Sequence, residues 1–140
     1  MIDIQKRDAL LTKVGAIEDG DNIAVWVEVE EFFDGNEDLG SFWCNLAEQP
    51  EEMSQIFGFL RSIRSRSDVH GLRVCVSQFD GGEEEWPFSD TILVVTDTSK
   101  PNVQSWFERF PPDEILVEEN DKLLSNLGYV GKTALRLWWD

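Results

Sequence analysis

Histidine is nearly absent from this chain: His70 is the only one among 140 residues. Cysteine is scarce as well, with Cys44 and Cys75 alone. A serine or cysteine nucleophile needs a neighbouring base, and the sequence offers one imidazole for that task. His70 sits in Asp68-Val69-His70-Gly71 and reads as a solvated turn residue. No G-x-S-x-G occurs, and Ser41 and Ser77 stand in no distinctive context. No catalytic residue is therefore assigned. Both cysteines lie in apolar segments, residues 41–47 and 72–79, and are expected to be reduced and buried, as in a cytosolic protein. A disulfide between the two segments is the alternative. Neither cysteine has a partner at C-x-x-C spacing, so no metal or other cofactor is expected.

Long apolar runs are missing. No stretch of about eighteen apolar residues is present, which excludes a membrane-spanning helix. The first seven residues lack the apolar run of a signal peptide, so a cytoplasmic location is expected. Basic residues are few: 12 Lys and Arg face 28 Asp and Glu, for a net charge of −16. Such a surface repels the phosphates of nucleic acid and of anionic lipid alike. It favours fast association with a basic protein partner. Neither DNA, RNA nor a membrane is an expected partner.

The apolar content is ample. Hydrophobic residues make up 41% of the chain, including 6 Trp and 9 Phe, so the high charge does not signal disorder. Residues 1–140 suit one domain, which at this length buries roughly two-thirds of its unfolded surface.

Hydropathy patterning divides the chain into short elements. Residues 3–13 suit a helix, or residues 9–17 a strand. Ile23, Val25, Val27 and Val29 alternate with Trp26, Glu28 and Glu30, which predicts a half-buried strand over residues 23–33. Asp34-Gly35-Asn36 turns the chain, and residues 41–47 read as the returning strand. Pro50 opens a helix with Met53, Ile56, Phe57, Leu60 and Ile63 on one face. Gly71 releases the chain into a strand over residues 72–79. A loop over residues 80–90 precedes a strand over 91–96 and a helix over 101–110. Residues 114–118 and 133–139 are the last strands, with a turn at 126–131. Hairpins imply antiparallel pairing, so the expected class is α+β, a mainly antiparallel sheet with two helices. A shift of fifty residues superposes Met53 on Val103, Phe57 on Phe107, Phe42 on Ile92 and Cys44 on Val94. Two readings fit: a degenerate ββα duplication, or two ordinary units of equal period.

Charge is segregated. Twelve acids and no base fall between Val14 and Leu60, and six acids and no base between Val74 and Ser99. Arg61, Arg64, Arg66, His70 and Arg73 form a basic patch between them. Asp113, Glu114, Glu118, Glu119 and Asp121 are a further acidic group. Gly81-Gly82 precedes Glu83-Glu84-Glu85, which would repel the phosphate that a glycine-rich loop holds. Paired carboxylates could serve glycoside hydrolysis, but 28 acids produce pairs by chance. The acidic turns at 19–22 and 34–38 do not match a calcium loop.

The loop over residues 80–90 is the candidate partner-binding site. Glu83, Glu84, Glu85, Trp86 and Phe88 combine aromatic anchors with a charged rim. The alternative is that Trp86 and Phe88 fold back over the core. Trp138-Trp139 poses the same choice, since adjacent strand residues face opposite ways. In general character, small, acidic, rich in Trp and without a catalytic constellation, the chain resembles the bacterial immunity proteins that neutralise toxins. That resemblance implies an antitoxin-type inhibitor masking a basic partner protein. The alternatives are an adaptor or structural subunit of another cytoplasmic complex, and a carboxylate-based enzyme.

Overall fold

The computed structural model describes residues 3–17, 25–38, 41–42, 52–76 and 86–139. In chain order the elements are α1 (Ile4–Ile17), β1 (Val25–Glu28), α2 (Val29–Phe33), α3 (Met53–Arg64) and β2 (Val69–Val76). β3 (Thr91–Thr96), α4 (Lys100–Trp106), β4 (Glu114–Val117), α5 (Asp121–Asn126) and β5 (Ala134–Trp138) follow. The class is α+β. Among the described residues, one five-stranded antiparallel sheet has the order β1-β2-β3-β5-β4, with five helices where two were expected. β5 lies between β3 and β4 and opposes both, so β3 and β4 run parallel. The connection through α4 is thus a split β-α-β unit.

The strand expected over residues 23–33 is cut short. β1 ends at Glu28, and α2 begins there with a capping box. The Glu31 carboxylate accepts the Glu28 backbone N–H at 2.9 Å, satisfying a donor that a free helix start would leave open. Val29, Phe32 and Phe33 then bury together on one side of the turn. An extended chain would have sent Phe32 and Phe33 to opposite faces. Gly35 follows with φ +82°, and its bare Cα admits Asp3, just before α1, and Lys6 of α1.

Of residues 41–47, expected as β1's returning neighbour, only Ser41 and Phe42 are among the described residues. Ser41 and Phe42 form a tight turn and an isolated parallel bridge to Ser89, while 43–47 lie outside the described residues. Among the described residues, β1 pairs with β2, Val25 opposite Val76 and Val27 opposite Val74. α3 starts at Met53, not Pro50, because Glu52 and Gln55 close a capping box there. Its face is as the spacing predicts: Met53, Ile56, Leu60 and Ile63 are buried, and Phe57 packs beside them. α4 ends at Trp106 rather than Phe110, closed by a Phe107 N–H bond to the Gln104 carbonyl. Pro111 bars a longer helix, and Phe107 and Phe110 still reach the core. α1 takes the helical alternative and runs to Ile17. α5 is unforeseen; the Asn120 side chain caps it by accepting the Leu123 N–H at 3.0 Å. α3 follows β1 and α2, whereas α4 follows the β2–β3 hairpin.

The sheet has two apolar faces. On one, Val25, Val27, Leu72, Val74, Ile92, Val94, Leu135 and Leu137 meet the inner faces of α2, α3 and α4. On the other, Trp26, Cys75, Leu93, Val95 and Ala134 form a smaller cluster, covered in part by Leu123, Leu124, Leu127 and Tyr129 around α5.

Candidate protein-docking surface

The loop singled out from the sequence does not present its tryptophan. Trp86 is 3% exposed and belongs to the main core. Its backbone N–H donates to Asp38 Oδ2 at 3.2 Å. Its indole Nε1 is buried without a hydrogen-bond partner among the described residues. Phe88 is half-buried, and Ser89 N–H donates to the Ser41 carbonyl at 2.7 Å. Residues 86–90 are thus pinned to the segment at Ser41 and Phe42, and Trp86 covers core rather than anchoring a partner from the surface. A large indole face gains more from burial than its one N–H loses. Glu83, Glu84 and Glu85 lie outside the described residues.

The C-terminal tryptophans separate as strand geometry requires. Trp139 is buried, donates Nε1–H to the Phe110 carbonyl at 3.1 Å and packs on Phe42 and Phe107. Trp138 points to the other face, is 37% exposed, and donates Nε1–H to Asp90 Oδ2 at 3.3 Å. Trp26 shares that face but is buried, with the Arg136 guanidinium 5.1 Å from its ring centre.

Among the described residues, β4 forms one edge of the sheet, beside Trp138. Its apolar side chains are unusually open: Leu116 is 48% exposed and Val117 52%. Glu114 lies opposite Trp138 and Leu116 opposite Arg136, which makes Leu116 and Trp138 diagonal neighbours on one face. Arg136 lies opposite Leu116, and carboxylates stand at both ends of the strand. Asp113, Glu114, Glu119 and Asp121 are exposed at the two ends of β4, and Asp90 sits at Trp138. Glu118 is more sheltered and accepts from Arg136 Nε and Nη2, both at 2.8 Å. In the sequence this acidic group and Trp138 stand apart. No local signal joins them, because they meet only through the β4–β5 pairing.

The basic patch is largely neutralised within the fold. Glu30 of α2 accepts from Arg64 Nη1 at 2.5 Å and lies 3.9 Å from Arg61. That hydrogen bond holds the Glu30 carboxyl below its ordinary range and the Arg64 guanidinium above its own. Arg66 pairs with Asp68 at 3.0 Å while lying 3.9 Å from the centre of the Trp106 ring. Arg73 pairs with Glu28 at 3.1 Å. His70 is in β2 rather than a turn, exposed, with Nε2 3.8 Å from Asp97 Oδ2. Asp97 is held low chiefly by the Thr133 hydroxyl, which donates to it at 2.6 Å. These contacts tie cations to internal partners and leave the acidic ends of β4 to set the field there.

Cys75 is a free, buried thiol on the second face, pushed up to about 12 chiefly by burial. Among the described residues, no group of three or more His, Cys, Asp or Glu is arranged to hold a metal ion. Among them, too, no helix is long and apolar enough to cross a membrane. A hollow between α1 and α2 is lined by Lys6, Leu10, Glu30, Glu31 and Asp34, but Lys6 is already engaged there by Asp34 at 2.8 Å.

Fold and surface together define a small α+β domain whose sheet ends in an open, apolar, acid-flanked edge. The chain belongs to the family described as Uncharacterized protein YfbO, whose model matches residues 5–128. It is similar to the Uncharacterized protein YfbO of Escherichia coli (strain K12), being 32% identical over 146 residues that span 100% of both chains. No solved structure matches.

Proposed function

We propose that this chain is a non-enzymatic, cytoplasmic protein-binding domain whose partner is a basic protein, in the manner of an immunity or antitoxin inhibitor. One observation carries the reading: the exposed pair Leu116 and Trp138, with Glu114 opposite Trp138, Asp90 bonded to its indole, and further exposed acids, Asp113 and Glu119, at the two ends of β4. An aromatic and aliphatic centre inside a charged rim is the anatomy of a protein interface. The net charge of −16 steers a basic partner toward it, and Trp138 slows its release. The free, buried Cys75 fits a reducing compartment. The Glu83-Glu84-Glu85 run adds to the same charge by sequence.

The test is recovery from the native host on immobilised wild-type chain and on a Leu116→Ala/Trp138→Ala variant, with bound proteins identified by mass spectrometry. A basic protein held by the wild type, released by salt and missing from the variant is the expected result. Identical recoveries from both would remove the function from this surface.

A further inference from the structure

We infer that the open side of β4 takes up an extended, basic segment of the partner protein as a sixth strand; this rests on the docking reading above and specifies its geometry. The backbone supplies the first reason. Glu118 N–H donates to the Ala134 carbonyl at 2.9 Å, and the register places Leu116 opposite Arg136 and Glu114 opposite Trp138. In an antiparallel ladder, alternate residues bond to one neighbour. Glu114, Leu116 and Glu118 therefore face β5, while Ile115 and Val117 turn their N–H and C=O groups to the open side. An edge of this kind is a template for strand addition.

The side chains supply the second reason. Edges are ordinarily blunted by charge within the strand, by proline or by a bulge. Here the centre of β4 reads Ile115-Leu116-Val117, with Leu116 and Val117 exposed on opposite faces. An added strand would meet apolar contacts above and below its backbone. The third reason is charge. Asp113 and Glu114 stand at one end of β4, and Glu118, Glu119 and Asp121 follow the other. A second copy pairing through this edge would set acid against acid. A segment alternating lysine or arginine with β-branched residues would match both the ends and the centre.

The test uses the full chain and a synthetic end-blocked peptide of alternating lysine and valine. Its control carries glutamate in place of lysine. Amide hydrogen exchange is followed by NMR at low salt. The Ile115 and Val117 amides are expected to exchange quickly in the free protein and to slow by about tenfold or more with the lysine peptide, the glutamate peptide having no effect. Val117→Pro removes an open-side donor without breaking a β5 bond, and is expected to weaken peptide binding by about tenfold or more with little change in melting temperature. The wild-type exchange pattern stands as a readout even if that variant folds poorly. Peptide binding without protection at Ile115 and Val117 overturns strand addition, while the docking reading still stands on its own recovery experiment. Protection already present in the free protein, and growing with its concentration, overturns it in favour of a second copy. Absence of lysine-peptide binding at low salt overturns it as well.

Discussion

Tyr129 lies directly over Gly71: a methyl group built on Gly71 would overlap the phenol, with Tyr129 Cε1 only 2.7 Å away. Gly71 sits where the β2–β3 register shifts, so β2 bends beneath the ring. The Arg73 Nε–H donates to the Tyr129 hydroxyl at 3.2 Å and the guanidinium lies 5.4 Å from the ring centre. The phenol thereby seals the α5 end of the second apolar face. Gly71→Ala is expected to cost about 1–3 kcal/mol through this overlap. Combining it with Tyr129→Ala should cost clearly less than the two single losses added, as coupled neighbours do. Urea denaturation of the four proteins measures the coupling; strict additivity would show that the ring yields freely.

Trp86→Ala should destabilise the fold by about 3–5 kcal/mol, as removal of a buried aromatic does. Affinity of the folded fraction for any basic partner should stay unchanged, since the indole is inside. Trp138→Ala should show the reverse pattern, a small stability change with a partner affinity reduced by about 2 kcal/mol if Trp138 is a hot spot. Thermal melts alongside calorimetric titration separate the two. Large affinity loss in Trp86→Ala at unchanged stability would return the site to the 80–90 loop.

Cys75 should resist alkylation. A thiol pushed up to about 12 holds almost no thiolate near neutral pH, and burial blocks the reagent as well. Site-resolved mass spectrometry after iodoacetamide treatment should show slow labelling at Cys75 in buffer and fast labelling in denaturant. Equal rates in both would mean that the second face opens readily.

Stability should fall in acid partly through Glu30. Its folded-state pKa lies below the ordinary value, chiefly because Arg64 donates to it. A depressed carboxylate contributes stability above its unfolded pKa and loses that contribution as pH drops through the lower folded value. The side chain is 43% exposed, so solvent screening keeps the effect modest. Between neutral pH and the region below 4.5, the wild type should lose more stability than Glu30→Gln. Parallel pH curves for the two proteins would mean that the Glu30–Arg64 pair carries no net linkage.

Features that depend on near neighbours or on totals are legible in the residues alone. The charge of −16 is a sum, and the buried stripe of α3 follows from helical spacing at Met53, Ile56, Leu60 and Ile63. β3 forms over residues 91–96 as its apolar run predicts. The Trp138–Trp139 split follows from strand pleating, though which ring faces out does not. α2 was hidden because Val29 continues the alternation of Val25 and Val27, while the packing of Phe32 and Phe33 rewards a helical turn. Which aromatics meet solvent and which strand is an edge depend on how distant segments pack. β5 follows β4 in the chain yet inserts between β4 and β3, so the open edge belongs to β4 rather than to the last strand. Exposure of Leu116, burial of Trp86 and the pairing of Glu30 with Arg64 all join residues distant in sequence. Local periodicity records which residues share a face; it carries no record of what another part of the chain lays against that face.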